Sequence, residues 1–194
     1  MNNINEEEKY MYVNFKDDIV NINLNNIEFI NCKFNNICIQ NKTLENIIFD
    51  NVLFENCDFS NTKFIENSFI KCEFINCKLY GSNFIETRIL NTKYSEVNST
   101  YINFSNCNLE NVIFKNTTLK EGNFNDNKMK KIVFEKIDLS NTSFFKTSLK
   151  GIDLSSCKIE NINILKNDIE GAIINQIQSV DLMHLIGVKF KENL

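Results

Sequence analysis

The sequence contains no proline and no tryptophan, and it has only one histidine and five glycines among 194 residues. Because proline and glycine mark turns and loops, their scarcity favours regular backbone along most of the chain. Arg88 is the only arginine, and 25 acidic residues against 21 basic ones give a net charge of -4. This balance excludes the class of nucleic-acid-binding proteins that depends on a dense basic face.

Long apolar runs are also missing. The longest, such as Tyr-Met-Tyr-Val at residues 10–13, are too short to cross a bilayer, so no membrane association is expected. The first residues have neither a basic start nor an apolar stretch, and we therefore predict a cytoplasmic protein with reduced cysteines. A hydrophobic content of 43% favours a single folded domain over a disordered chain.

Residues for catalysis or metal binding are few. The seven cysteines show no Cys-x-x-Cys spacing, His184 is the only histidine, and no glycine-rich phosphate loop occurs. A single histidine in an amphipathic segment is usually a surface or packing residue rather than a general base. We therefore predict no metal, no cofactor and no enzymatic activity.

A strict period of five residues dominates what is present. Every fifth position from residue 19 to residue 174 is apolar, with Ser99 as the single exception. An α-helix would carry this series around its whole surface, and a straight strand would send successive members to opposite faces. A chain that turns a corner in each unit keeps them all inward, so the period predicts a solenoid.

Two other positions of each unit support this interpretation. The residue two before the central apolar one is mostly small or β-branched, which predicts a second inward position. The residue two after it is most often asparagine, which tolerates turn conformations. Six of the seven cysteines occupy the small inward position, and Cys38 alone falls out of phase, so we expect six buried thiols and one exposed thiol.

Units such as Cys57-Asp58-Phe59-Ser60-Asn61 and Ile137-Asp138-Leu139-Ser140-Asn141 resemble pentapeptide repeats. The resemblance implies an all-β fold, a right-handed quadrilateral β-helix in which four units form one coil of 20 residues. We expect about eight coils over residues 17–176, an N-terminal cap over residues 1–16, and a C-terminal helix with a dimerisation segment over residues 177–194. Adding 20 predicts two aromatic columns: Phe64, Phe84, Phe104, Phe124, Phe144; and Phe34, Phe54, Phe74, Tyr94, Phe114, Phe134.

The C-terminal segment has the spacing of a capping helix from Gln178 to Val188, which Gly187 could end. It holds more apolar residues than one cap requires, so we predict that its outer face pairs with a second copy across a two-fold axis. The predicted interface residues are Leu182, Met183, Leu185, Ile186, Val188 and Phe190.

The same segment is similar to the end of Qnr-type pentapeptide-repeat proteins. The similarity comprises a glycine-containing last repeat at residues 171–175, Gln178, the pair Leu182-Met183, and Leu185-Ile186-Gly187-Val188. It implies a homodimer that binds DNA gyrase and topoisomerase IV, resembles duplex DNA in size and charge, and protects these enzymes from quinolones.

Two features depart from the Qnr type. Acidic and basic residues number 6:3, 4:4, 5:6 and 5:4 on the four predicted faces, so none is a strongly anionic stripe. The repeat also keeps its phase, so it has no long inserted loop. These features favour the alternative of a repeat scaffold or toxin-immunity protein with another protein partner.

The break in the period at Ser99 is the best candidate for a local recognition feature. A bulge or short loop there would present side chains to a partner, while the simpler interpretation is a degenerate repeat with no such loop. The candidate partner-binding residues are Ser95, Glu96, Asn98, Ser99, Thr100 and Tyr101.

Overall fold

A computed structural model describes residues 8–16 and 24–189. Short parallel strands wind into a four-sided solenoid, in which each residue lies over the one 20 positions earlier, as Phe69 lies over Phe49. The predicted all-β pentapeptide solenoid is thereby confirmed. We name its faces I to IV in chain order from Leu24.

Faces II and III belong to one twelve-stranded sheet, and face I to a five-stranded sheet. Face I contains β3 (Leu24–Asn25), β6 (Thr43–Glu45), β9 (Lys63–Ile65), β12 (Asn83–Ile85) and β15 (Asn103–Ser105). Face II contains β1 (Lys9–Met11), β4 (Glu28–Ile30), β7 (Ile48–Asp50), β10 (Ser68–Ile70) and β13 (Arg88–Leu90). Face III contains β2 (Asn14–Lys16), β5 (Lys33–Asn35), β8 (Leu53–Glu55), β11 (Glu73–Ile75) and β14 (Lys93–Ser95). The eight-residue strands β16 (Asn108–Lys115) and β17 (Lys128–Glu135) turn the corner between faces II and III.

Face IV has no named strand among the described residues and is joined by single bridges, the first of which links Cys38 to Asp58 and the last Asp138 to Lys158. Bridges and turns also replace strands in the last coils. Regular strand structure therefore amounts to about six turns, slightly fewer than the eight coils expected. The chain closes with three short helices: α1 (Lys166–Ile169), α2 (Gln178–Leu182) and a 3₁₀ helix (Met183–Ile186).

The coil begins earlier than the five-residue series suggests. Strands β1 and β2 pair with β4 and β5, so that Tyr10 lies under Phe29 and Phe15 under Phe34. The offset is 19 residues instead of 20, because the intervening segment is one residue shorter than a full repeat. Part of the expected N-terminal cap, residues 9–16, is thus a coil of the solenoid. The first member of the apolar series, Ile19, lies outside the described residues.

Stacked aromatic rings fill the core. In the face III column, ring centroids of successive coils are 4.5 to 5.5 Å apart from Phe15 to Phe134. In the face I column from Phe64 to Phe144 the separations are 4.5 to 5.2 Å. Both predicted columns are confirmed. Because these rings are nearly all fully buried, their removal from water is the main source of stability.

The corner residue, two positions after each centre, adopts a left-handed backbone conformation. Values of φ at these corners lie near +55°, as at Asn51 and Asn56. Only glycine, and to a lesser degree asparagine and aspartate, reaches this region at little cost, which explains the asparagine preference. Each corner N–H donates to the next coil, as Asn51 N–H does to the carbonyl of Ile70 at 2.8 Å. Neighbouring corners also bond through their side chains, as Asn51 Nδ2 does to Asn31 Oδ1 at 2.6 Å.

Polar residues at the small inward position donate a hydrogen bond in addition to packing in the core. The side chain donates to the carbonyl of the centre 23 residues earlier, as in Cys72 to Phe49, Ser82 to Phe59 and Thr147 to Phe124. Asn67 and Asn127, which break the small-residue pattern, are buried and bond two backbone groups each. Cysteine, serine, threonine and asparagine share this position because each can satisfy an inward carbonyl.

The corner geometry predicts a stabilising substitution. Lys71 occupies a left-handed corner with φ of 53°, between Asn51 and Asn91 in its column. Lys71→Asn should raise the free energy of unfolding by about 0.5–1 kcal/mol, since asparagine tolerates this conformation better. The control is Lys63→Asn, the same replacement inside β9, which should be neutral or destabilising. Equal effects of the two changes on thermal unfolding would contradict the assignment of corners.

Thiol reactivity tests the inward phase. Cys38 is exposed and the other six cysteines are buried, as predicted. Burial raises the pKa of Cys72 and of Cys107 to about 12, so these thiols hold almost no thiolate at neutral pH. We expect one thiol to react rapidly in the native protein and six only on unfolding. Cys38→Ser should remove the fast phase, and a second fast thiol would contradict this placement.

Candidate protein-binding surface

The candidate segment 95–101 follows the regular coil without a bulge. Asn98 bridges Lys78 below and Thr118 above, and the Ser99 N–H donates to the Thr118 carbonyl at 3.1 Å. Ser99 itself is buried and occupies a normal centre. The expected bulge or loop at Ser99 is therefore wrong, and the degenerate-repeat alternative is correct. Cross-coil backbone hydrogen bonds keep the phase even where the centre is polar.

Two successive centres of this coil, Tyr94 and Ser99, carry a buried hydroxyl. Tyr94, the preceding centre, is fully buried and stacks between Phe74 and Phe114 with centroids 4.8 Å from each. The Tyr94 hydroxyl and the Ser99 Oγ are buried and make no hydrogen bond to the described residues. Tyr94 exceeds the phenylalanines of its column by one hydroxyl only, so it does not make up the volume that Ser99 lacks relative to Leu79 and Leu119 in its own column.

Of the six candidate residues, Glu96, Asn98 and Tyr101 are exposed, Ser95 and Thr100 are half-buried, and Tyr101 is the one with an aromatic side chain. It lies at the corner between faces IV and I, and its ring meets that of Tyr80 edge to face at 5.5 Å between centroids. Glu121 occupies the same corner one coil above. Sequence reasoning missed Tyr80 and Glu121 because they lie outside the segment, although the offset of 20 places both beside it.

At the C-terminal end the predicted interface residues divide into two groups. Leu182 and Leu185 are half-buried and pack against the core, and Met183 is also half-buried. Ile186 and Val188 are exposed on the outer side. Phe190 lies outside the described residues. Gly187, with φ of 77°, ends the 3₁₀ helix as predicted, and its N–H donates to the His184 carbonyl.

The outer side of this end is apolar. Ile177 and Val180 join Ile186 and Val188 there, with exposed fractions of 43 to 83%. A groove of about 350 Å³ between α1 and the final helices adds the apolar side chains of Ile169, Ile174 and Met183. No other part of the described chain collects so many exposed apolar side chains within a dozen residues.

Gln178 closes the core at this end. Its side chain is buried, and Nε2 donates to the carbonyls of Leu154 and Cys157 at 2.8 and 2.7 Å. Its Oε1 accepts from the Asn175 N–H at 2.8 Å, while its own N–H donates to Asn175 Oδ1 at 3.0 Å. Gln178 therefore does for the last coil what the small inward residues do for the others. Gln178, one of the residues that make this ending similar to the Qnr type, therefore has a structural role in closing the core.

The long faces are electrically balanced. Seven lysines pair with carboxylates of an adjacent coil, as Lys93 does with Glu73 at 2.9 Å and Lys130 with Glu110 at 2.7 Å. The hydrogen bond from Lys130 lowers the pKa of Glu110. Such exposed pairs add little stability, but they neutralise the surface. The pairing does not change the net charge of a face, but it separates the carboxylates with lysines and so works against a continuous anionic stripe.

The described residues contain neither a cluster of side chains that could bind a metal ion nor a helix that could span a membrane. Over residues 8–16 and 24–189, no three His, Cys, Asp or Glu side chains converge in a way that could hold a metal ion. The helices within those ranges are all too short to cross a bilayer. The candidate surfaces are thus the apolar C-terminal end and the corner at Tyr101, both suited to contact with a protein.

Comparison with known sequences identifies the repeat. Residues 47–124 match the family model for a pentapeptide repeat region. The same corner conformation continues before and after these residues, from Asn26 to Asn161. No curated protein sequence matches the chain.

Solved structures with similarity to the chain include three repeat proteins. Full-length QnrB1, a plasmid-mediated fluoroquinolone resistance protein, has 15% identity and a TM-score of 0.40, covering 95% of this chain and 99% of its own. HetL, a heterocyst-differentiation protein from the cyanobacterium Nostoc, has 10% identity and a TM-score of 0.34 over 88% and 89%. A thylakoid-lumen protein from Arabidopsis thaliana has 15% identity and a TM-score of 0.32 over 58% and 65%.

The role of Gln178 can be tested by replacement. Gln178→Leu keeps the volume but removes the side-chain donor to the Cys157 carbonyl, while the Leu154 carbonyl keeps only the Cys157 N–H, so the change should cost about 1–3 kcal/mol of unfolding free energy. Gln176→Leu, at an exposed position two residues earlier, is the control and should cost less than about 0.5 kcal/mol. Urea unfolding of the two variants measures this difference. Equal midpoints would contradict the role of Gln178 in closing the C-terminal end of the core.

Proposed function

We propose that this pentapeptide-repeat protein is a non-catalytic protein ligand of DNA gyrase and topoisomerase IV that protects both enzymes from quinolones. In this proposal it acts as a homodimer joined through its C-terminal ends. The observation that carries the proposal is the closing segment, whose sequence has the Qnr-type pattern and whose outer side is apolar. A second copy is the partner of matching shape for such an end.

The division of roles within this segment supports the proposal. Gln178, Leu182 and Leu185 close the solenoid, so the remaining apolar residues Ile186 and Val188 are not needed for folding of the coil. Their exposure is unfavourable in an isolated chain and is relieved on pairing. A two-fold dimer would double the length of the rod and give it the symmetry of a two-fold enzyme.

Contact along the rod then depends on shape and hydrogen bonding more than on charge. The cross-coil ion pairs leave no long anionic stripe, and the corners present a regular series of asparagine amides. Association with a basic groove on the enzyme should consequently weaken only modestly with salt, unlike that of a polyanion.

The alternative partner class is a different protein bound by a repeat scaffold or toxin-immunity protein. The balanced surface and the uninterrupted phase favour this alternative. Both functions would use the same rod-shaped surface, and they differ only in the protein that binds to it.

Supercoiling by purified gyrase tests the function directly. With a quinolone present, low concentrations of the protein should restore supercoiling, and high concentrations without the drug should inhibit it, because the rod competes with DNA for the same surface. The enzyme should come from a matched bacterial source. Neither rescue nor inhibition over a wide range of protein concentration would refute the topoisomerase proposal and leave the alternative partner class.

The dimer is tested separately by charge at the end face. Ile186→Asp should convert a dimer to a monomer in analytical ultracentrifugation while leaving the β-rich circular dichroism unchanged, since Ile186 is exposed and lies outside the core. Val133→Asp, at an exposed apolar position on the side of the rod, is the control and should remain dimeric. A wild-type protein that is monomeric at micromolar concentration would refute the dimer.

A further inference from the structure

Tyr80 and Tyr101 form an unusual pair on the side of the rod. Their rings lie 5.5 Å apart at an interplanar angle of 84°, and the two side chains are 44% and 47% exposed. Within the part of the chain that the structure describes, it is the one ring contact in which both members are exposed. Two aromatic side chains are thus held in water at a fixed mutual angle.

The fold does not require a tyrosine at residue 101. Tyr101 is a corner with φ of 60°, a conformation that asparagine or glycine adopts at less steric cost. Its backbone makes the standard corner contact, N–H to the Lys120 carbonyl at 3.0 Å, which any residue except proline would make. Because the ring stays exposed, burial does not offset the strain. Because lysine and glutamate also occupy left-handed corners, the strain alone does not distinguish this corner; the exposed ring that contacts a second exposed ring does.

Gly81 makes room for the pair. It occupies the corner directly below Tyr101. Most other corners are occupied by residues with a side chain, such as asparagine, glutamate or lysine. A Cβ at Gly81 would lie 2.5 Å from Asn61 Oδ1, so a larger residue would disturb the column. Without a side chain at Gly81, the Tyr101 ring reaches the ring of Tyr80 in the coil below.

A carboxylate completes the corner. Glu121 lies one coil above Tyr101, and a hydrogen bond with this carboxylate raises the pKa of the Tyr101 hydroxyl. Lys120 Nζ is 4.0 Å from the Glu121 carboxylate, at the outer limit of an ion pair and on an exposed surface. The carboxylate therefore remains accessible to a stronger cationic partner.

We propose that the corner formed by Tyr80, Tyr101 and Glu121 binds an arginine side chain of the partner protein. This inference rests on the proposed function and names the contact through which the rod holds its enzyme. A guanidinium is planar, stacks on a tyrosine face and donates two parallel hydrogen bonds to a carboxylate, so it matches both halves of the corner. Tyrosine and arginine are also the residue types that dominate protein interfaces.

The substitution Tyr101→Asn separates binding from folding. It installs the residue that most corners carry, so the melting temperature should stay equal or rise, while the affinity for gyrase should fall about tenfold or more. The control is Lys71→Asn, the same kind of change at a corner between faces II and III, which should leave the affinity unchanged. Equal gyrase binding by wild type and Tyr101→Asn would overturn the inference while leaving the topoisomerase function intact.

A small probe tests the chemistry without gyrase. Acetyl-Gly-Arg-Gly-amide, titrated into the full-length protein and followed by NMR, should shift the ring signals of Tyr80 and Tyr101 saturably, and Tyr101→Asn should abolish the effect at Tyr80. The same peptide with citrulline, the uncharged counterpart of arginine, should bind at least about fivefold more weakly. Equal effects of the two peptides, or shifts spread over all carboxylates, would overturn the inference. Arginine-specific shifts in a protein that fails to bind gyrase would support the corner and refute the topoisomerase function.

Discussion

The left-handed corner, which recurs at every fifth residue from Asn26 to Asn161 except Ser156, is the constraint on which the rest of the structure depends. At each corner the chain turns from one face to the next while its N–H bonds to the coil above. A residue that cannot adopt this conformation either strains the coil or breaks it. Asparagine meets the requirement and adds side-chain bonds along the column, as between Asn76 and Asn56 at 2.7 Å. The surface of the rod is therefore rich in asparagine for a structural reason first.

A second contact recurs inside, where the small inward residue is polar and lies near the carbonyl of the centre 23 residues earlier. Threonine, serine, cysteine or asparagine donates to it from the coil above, as Thr92 does to Phe69 at 3.3 Å. At the C-terminal end, where the coils stop, Gln178 supplies the last such donors. Seven cysteines could suggest redox or metal chemistry, but the buried ones donate hydrogen bonds to carbonyls of the coil below.

The five-residue period predicts a solenoid and six buried thiols, since both follow from which residues face inward. The coil of 20 residues and its stacked columns follow from the resemblance to pentapeptide repeats, and the helix end follows from the glycine at residue 187. The period fails where the spacing changes or where contacts depend on side-chain direction. Tyr10 and Phe15 join the coil with an offset of 19, which a fixed period of five cannot reveal. Ser99 is polar at a position where the series is otherwise apolar, yet backbone hydrogen bonds to the next coil hold its unit in the regular conformation. The inward packing of Leu185 and the contact between Tyr80 and Tyr101 depend on three-dimensional directions that the helical or five-residue spacing leaves open.

Hydrogen exchange of the corner amides is the most direct measurement of the central claim, that every unit is closed onto the next and the rod is a preformed, rigid surface. The side chains of Asn56, Lys71 and Asn91 are exposed, but their N–H groups donate to Ile75, Leu90 and Glu110 at 2.9 to 3.0 Å. The account predicts that these amides exchange as slowly as those of the neighbouring strands, and only through sub-global opening. Exchange at the rate of an ordinary surface turn would contradict it.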